Sequence, residues 1–219
     1  MCPQKATDLT TSESKGRGSK PVRPVAVLDA NVLIPPGLRD LLLSCAHVGL
    51  FRPIWQQEIE AEVHRNGIRL DRKRGASDKE AAAQLDHVFT QMNRAFPDAR
   101  LGESTWLEHV KDMTNDPKDR HVLAVAVGGG ATHVVTSNTK HFPLRSRPPR
   151  LVVQRPDAFL LERLAERPEE VITAVRQMAA RHQRPPETAE ALALKMTKGS
   201  FVQRFGEALL ALLVHEQGD

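Results

Sequence analysis

The chain has 219 residues, long enough for one domain with an appended subdomain and for a sizeable core without covalent staples, which excludes a disulfide scaffold. Its two cysteines, Cys2 and Cys45, match no metal-ligand spacing. No apolar run reaches the roughly 18 residues of a bilayer span, and no signal-peptide stretch opens the chain. The formal charge is +4 with a pI near 9.3, but residues 1–24 supply +3 of it through Lys5, Lys15, Arg17, Lys20 and Arg23 against Asp8 and Glu13. These features predict a soluble, cytoplasmic protein with a disordered basic tail over residues 1–24.

In chain order, VAVLDANVLI (25–34) is a short β-branched run between prolines and predicts a buried strand ending near Asp29 to Asn31. Leu38, Leu41, Leu42, Cys45 and Val48 recur at helical spacing over residues 37–49, and Leu50 to Ile54 form a second short apolar stretch. A helix is predicted from Trp55 to about Asn66 with Gly67 as its stop, and another over residues 77–95, opened by a Ser77 and Glu80 capping box. Asp116 can cap a helix with Pro117 in its first position, running to the glycines at 128–130. Strands are predicted at His133 to Thr136 and Arg150 to Val153. This alternation predicts an α/β fold with a mostly parallel central sheet flanked by helices across residues 25–155. From residue 156 to 219 only helical patterns remain, an α-helical C-terminal extension.

In open parallel sheets the functional crevice lies outside the carboxyl ends of the strands. Asp29 and Asn138 fall at such ends, Asp116 and Asp119 precede the helix that leads to the later strand, and Glu58 and Glu62 share one helix face. A group of carboxylates there calls for a hard divalent cation, Mg2+ or Mn2+, and such ions promote phosphodiester hydrolysis. Each residue also has a structural explanation. Asp116 and Asp119 serve as a cap and a helix-dipole partner, Glu58, Glu60 and Glu62 as a solvated face, Asn138 as a turn residue, and His121 and His141 as surface or packing residues. Asp29, alone in an apolar strand, is the hardest to explain structurally.

Four segments in order, LDANVLI, EIEAEVHRN (58–66), NDPKDRHVLAVA and VVTSNTKHFP, resemble the PIN-domain family, in particular the VapC-type ribonuclease toxins of bacterial toxin–antitoxin pairs. The resemblance covers roughly residues 25–155 and implies a PIN-like three-layer fold. It further implies a metal site of Asp29, Glu62 and Asp119 with Asp116 beside them, hydrogen-bonded support from Asn31 and Thr136, and an RNA substrate. A small VapB-type antitoxin and a homodimer are the partners it implies. Where many relatives carry a fourth acid after the last strand, this sequence has Asn138, with His141 where similar proteins often have Asp. That departure makes a weakly active or inactive RNA-binding module the alternative function. Arg72, Lys73, Arg74, Lys140 and Arg145 border the acids in the chain and are candidates for contacts to flanking phosphates.

Overall fold

A computed structural model describes residues 23–181 and 186–215. The expected tail therefore lies outside the described residues except for Arg23 and Pro24. The chain runs through β1 (Val25–Leu28), α1 (Ala30–Leu33), α2 (Pro36–His47), β2 (Arg52–Gln56), α3 (Gln57–Lys73), α4 (Asp78–Ala95), β3 (Arg100–Leu101) and α5 (Glu103–Trp106). It continues through α6 (Arg120–Gly128), β4 (His133–Val135), β5 (Val152–Gln154), α7 (Pro156–Glu166), α8 (Pro168–Arg181), α9 (Ala189–Thr197) and α10 (Gln203–His215). The five strands form one parallel sheet in the order β3-β2-β1-β4-β5. The expected α/β fold with a parallel sheet flanked by helices is thus observed, followed by helices alone.

The order matters because β1 is central and the chain builds outward from it in both directions. β2 and β3 lie on one side, β4 and β5 on the other, which puts a topological switch point at the carboxyl ends of β1 and β4. β1 itself is short because Asp29 stops it: the Asp29 side chain accepts the Ala30 N–H and caps α1. The strand therefore ends one residue before the span expected from sequence. Apolar packing fixes the rest. In α6 the five residues Val122 to Ala126 are all buried, as expected of a helix covered on every side, and it packs on β1, β4 and α5.

Two glycines changed meaning in three dimensions. Gly67 does not stop α3, which runs on to Lys73, because the glycine is a notch against α4: a Cβ there would sit 2.9 Å from Leu85 Cδ1. At the end of α6, a Cβ on Gly128 would lie 1.9 Å from the Thr105 carbonyl oxygen, so that glycine permits the close approach of α5. The capping box of α4 forms as expected, with Ser77 Oγ accepting the Glu80 N–H and Glu80 accepting the Ser77 N–H. Pro117 to Asp119 make a 3-10 turn capped by Asp116, and the α-helix begins only at Arg120. β3 was not expected from the sequence, and β5 starts two residues later than expected.

The C-terminal helices share the core of the sheet region. α8 packs on α2, the Phe159 ring of α7 meets Phe51 edge-on at 5.0 Å, and Arg181 pairs with Asp40 at 2.9 Å. Cys45 is buried in this core, and burial pushes its thiol up to about 12, so it packs as a neutral apolar group.

Candidate metal centre

Asp29 sits at the switch point with only 2 % of its surface exposed. Both of its oxygens are engaged. Oδ1 accepts the Ala30 N–H at 2.7 Å, and Oδ2 accepts the Thr136 hydroxyl at 2.6 Å and the Asn31 amide. Asn31 in turn donates to Thr136 Oγ1 at 2.9 Å and accepts the Ser137 N–H at 2.8 Å, while Thr136 Oγ1 accepts the Asn138 N–H at 3.0 Å. This network ties the end of β1 to the end of β4 and fixes the carboxylate. Burial raises the Asp29 pKa to about 6; the Thr136 hydrogen bond opposes the rise, and the negative charges of Asp119 and Glu62 add to it. Asp29, Asp119 and Glu62 therefore share one electrostatic neighbourhood, though they come from three separate stretches of chain.

Asp119 closes the 3-10 turn before α6, and Asp116 caps the same turn by accepting the Lys118 N–H at 3.0 Å. Facing them is the turn Thr139 to His141 after β4. One ligand-type atom each of Asp116, Asp119 and His141 lie within 4.8 Å of one another, and His141 Nδ1 is 2.7 Å from Asp119 Oδ2. The Asn138 amide nitrogen rests against the same ring, 3.0 Å from Nε2. His141, read from sequence as a packing or surface residue, is thus part of the acidic cluster. Its only sequence signal was its position, where similar proteins often carry Asp.

Glu62 comes from α3, whose N-terminus is capped by the buried Gln56 side chain accepting the Glu58 N–H. With its oxygen so occupied, the Gln56 amide nitrogen donates to His121 Nδ1 at 2.7 Å, and His121 Nε2 faces Glu62 Oε1 at 3.5 Å. The other two glutamates of this helix diverge. Glu60 turns away to Arg100, Trp55 and Asn93, so its role is structural. Glu58 joins Glu62, Arg65, Lys118 and His121 around a groove of about 460 Å³ floored by Trp106.

The basic candidates divide in the same way. Arg72 pairs with Asp78 and Arg74 with Asp71, at the far end of α3, about 15 Å along the helix from Glu62. Lys140 and Arg145 are exposed, and Lys140 lies in the turn that carries His141. Among the described residues no Lys or Arg forms an ion pair with Asp29, Glu62, Asp116 or Asp119. The candidate centre is a set of oxygen donors with two imidazoles, His121 and His141, beside them, and no Lys or Arg among the described residues pairs with its acids.

Comparison with known proteins agrees with this architecture. The PIN domain profile matches residues 25–140, more than half of the chain, and the profile of the VapC50 C-terminal domain matches residues 156–210. A Mycobacterium tuberculosis protein named "Putative ribonuclease VapC50" is 40 % identical over 81 residues, which cover 36 % of this chain and 48 % of that relative. The match thus spans about half the length of the curated relative. No solved structure matches the chain. The switch-point carboxylate, the acids near it from α3 and the turn before α6, and the profile match over residues 25–140, which hold β1 to β4, together place the chain in the PIN-domain family.

Proposed function

We propose that the protein is a Mg2+-dependent endoribonuclease of the VapC toxin type. The observation that carries this reading is the gathering of Asp29, Glu62 and Asp119 in one electrostatic neighbourhood at the switch point, with no Lys or Arg among the described residues paired to them. Carboxylates so placed repel one another, and a hard divalent cation is the partner that offsets the repulsion. The donors suit such an ion: Asp116 and Asp119 lie with His141 in a group whose ligand atoms are within 4.8 Å of one another, and Asp29 and Glu62 add their charge beside it, on elements fixed by caps and by the Thr136 network. A bound cation would neutralise charge on the phosphoryl group and lower the pKa of water for in-line attack.

The remaining steps belong to the chain. Thr136 and Asn31 hold Asp29 in one orientation, so its carboxylate needs no rearrangement when charge develops. Gln56 sets the His121 tautomer that turns Nε2–H toward Glu62. Lys140 stands beside the cluster on an exposed turn, where it would engage a phosphate flanking the cut site. The groove bordered by Glu58, Arg65 and Lys118 leads away from Glu62 and suits either the RNA strand or the terminal segment of a VapB-type antitoxin. A homodimer in the cytoplasm completes the proposed arrangement.

The test is cleavage of a panel of structured RNAs with Mg2+, Mn2+ or EDTA. Cleavage is expected to require the metal and to fall at least about 100-fold in Asp29→Asn and Asp119→Asn. Cleavage untouched by EDTA and by Asp29→Asn removes the metal-nuclease reading. RNA that is bound but never cut would identify a binding module that has lost the activity.

A further inference from the structure

From Arg120 to Pro156 the sequence contains neither Asp nor Glu. No carboxylate can therefore reach the centre from the loop after β4. What that loop does deliver is an imidazole. The backbone N–H of His141 donates to the Asn138 carbonyl at 3.1 Å, and the next residue, Phe142, is wholly buried and anchors the turn. Nδ1 of the ring lies 2.7 Å from Asp119 Oδ2, and the Asn138 amide nitrogen lies 2.8 Å from the same Nδ1 and 3.0 Å from Nε2.

We propose that His141 is a nitrogen ligand of the divalent cation, together with Asp119 and Asp116, and that it shifts the preference of the centre from Mg2+ toward a first-row transition ion. The inference rests on the reading of the acidic cluster as a metal centre. Its geometric basis is the separation between His141 Nδ1 and Asp119 Oδ2, 2.7 Å. Two ligands about 2.1 Å from one ion and at right angles to each other are about 3 Å apart, so a cation can replace the shared proton with little movement of either side chain. The chemical basis is that Mg2+ takes oxygen donors and gives up its waters reluctantly, whereas transition ions accept imidazole readily. Mn2+ is the natural probe, because it tolerates the carboxylates and is paramagnetic.

The full chain, stripped with EDTA, is titrated with Mn2+ and Mg2+ separately, and the Mn2+-loaded protein is examined by electron spin echo modulation for directly bonded nitrogen. Wild type is expected to show nitrogen modulation and a marked preference for Mn2+. His141→Asp should abolish the modulation and lower the Mn2+ to Mg2+ affinity ratio by about 10-fold, and His141→Asn should weaken Mn2+ binding by at least as much. Circular dichroism in EDTA confirms that both variants fold, and the second serves should the first not. Mn2+ bound without nitrogen modulation, with a ratio that the His141 variants leave unchanged while Asp119→Asn abolishes binding, overturns ligation by His141 and leaves the metal centre standing. Absence of binding in wild type, or binding that survives both Asp29→Asn and Asp119→Asn, overturns the centre and the inference with it.

Discussion

Asp29 is a carboxylate held where a charge is costly. Burial first, and repulsion from Asp119 and Glu62 after it, raise its pKa from 3.8 to about 6. Below about pH 4 the group is neutral both folded and unfolded, so its ionisation leaves stability unchanged. As pH rises from about 4 to 6 the unfolded chain releases the proton while the fold retains it, and stability falls; above 6 the loss is complete, of order 3 kcal/mol. Metal-free wild type is therefore expected to lose stability relative to Asp29→Asn between pH 4 and 7, and added Mn2+ or Mg2+ at pH 7 should narrow the difference. Urea melts of the two proteins at stepped pH measure it, and a difference that ignores pH would count against a buried charge. Asp29 was legible in the sequence because it is a lone acid in an apolar run. His141 was not, because its partner Asp119 lies 22 positions earlier in the chain, on a different turn.

At the scale of the element, local rules worked where the cause was local. The Ser77 and Glu80 box, the Asp116 cap and the inward face of α2 all formed where short-range chemistry placed them, although Pro117 opens a 3-10 turn and the α-helix waits until Arg120. Glycine behaves differently, because a helix stop and a packing notch look alike in sequence, and Gly67 is a notch. Gly128→Ala would drive a methyl group into the Thr105 carbonyl, which is backbone and cannot turn aside. The expected result is a loss of several kcal/mol or failure to fold, read as a drop in melting temperature. Gly37, with nothing within 4 Å of its would-be Cβ, is the matched control, and Gly37→Ala should change the melting temperature by little. Equal effects at the two sites would remove the close-approach argument. β3 has no local signature. Two residues, Arg100 and Leu101, carry no periodicity, and only pairing with Trp55 and Gln56 makes them a strand.

For the whole molecule, the C-terminal helices complete the core of the sheet region. Phe159, Leu160, Val171 and Val175 are buried in the same hydrophobic cluster as β1 and α2, so removing them would uncover Phe51 and the inner face of α2. A fragment ending at residue 155 is expected to aggregate or to melt without a cooperative transition, checked by sedimentation and thermal circular dichroism. A soluble fragment that melts cooperatively would show the helices to be an accessory. The sequence by itself determined the fold class, the helical C-terminal region and the acids to suspect, since hydrophobic periodicity, capping residues and a carboxylate out of place are encoded within a few neighbouring positions. The tertiary structure decided which of those acids meet. It set Glu62 and Asp119 near Asp29, sent Glu60 to Arg100, tied Arg72 to Asp78 and brought His141 into the cluster. Those outcomes depend on a parallel sheet whose order departs from chain order, so residues about a hundred positions apart share one edge, a juxtaposition that no local pattern records.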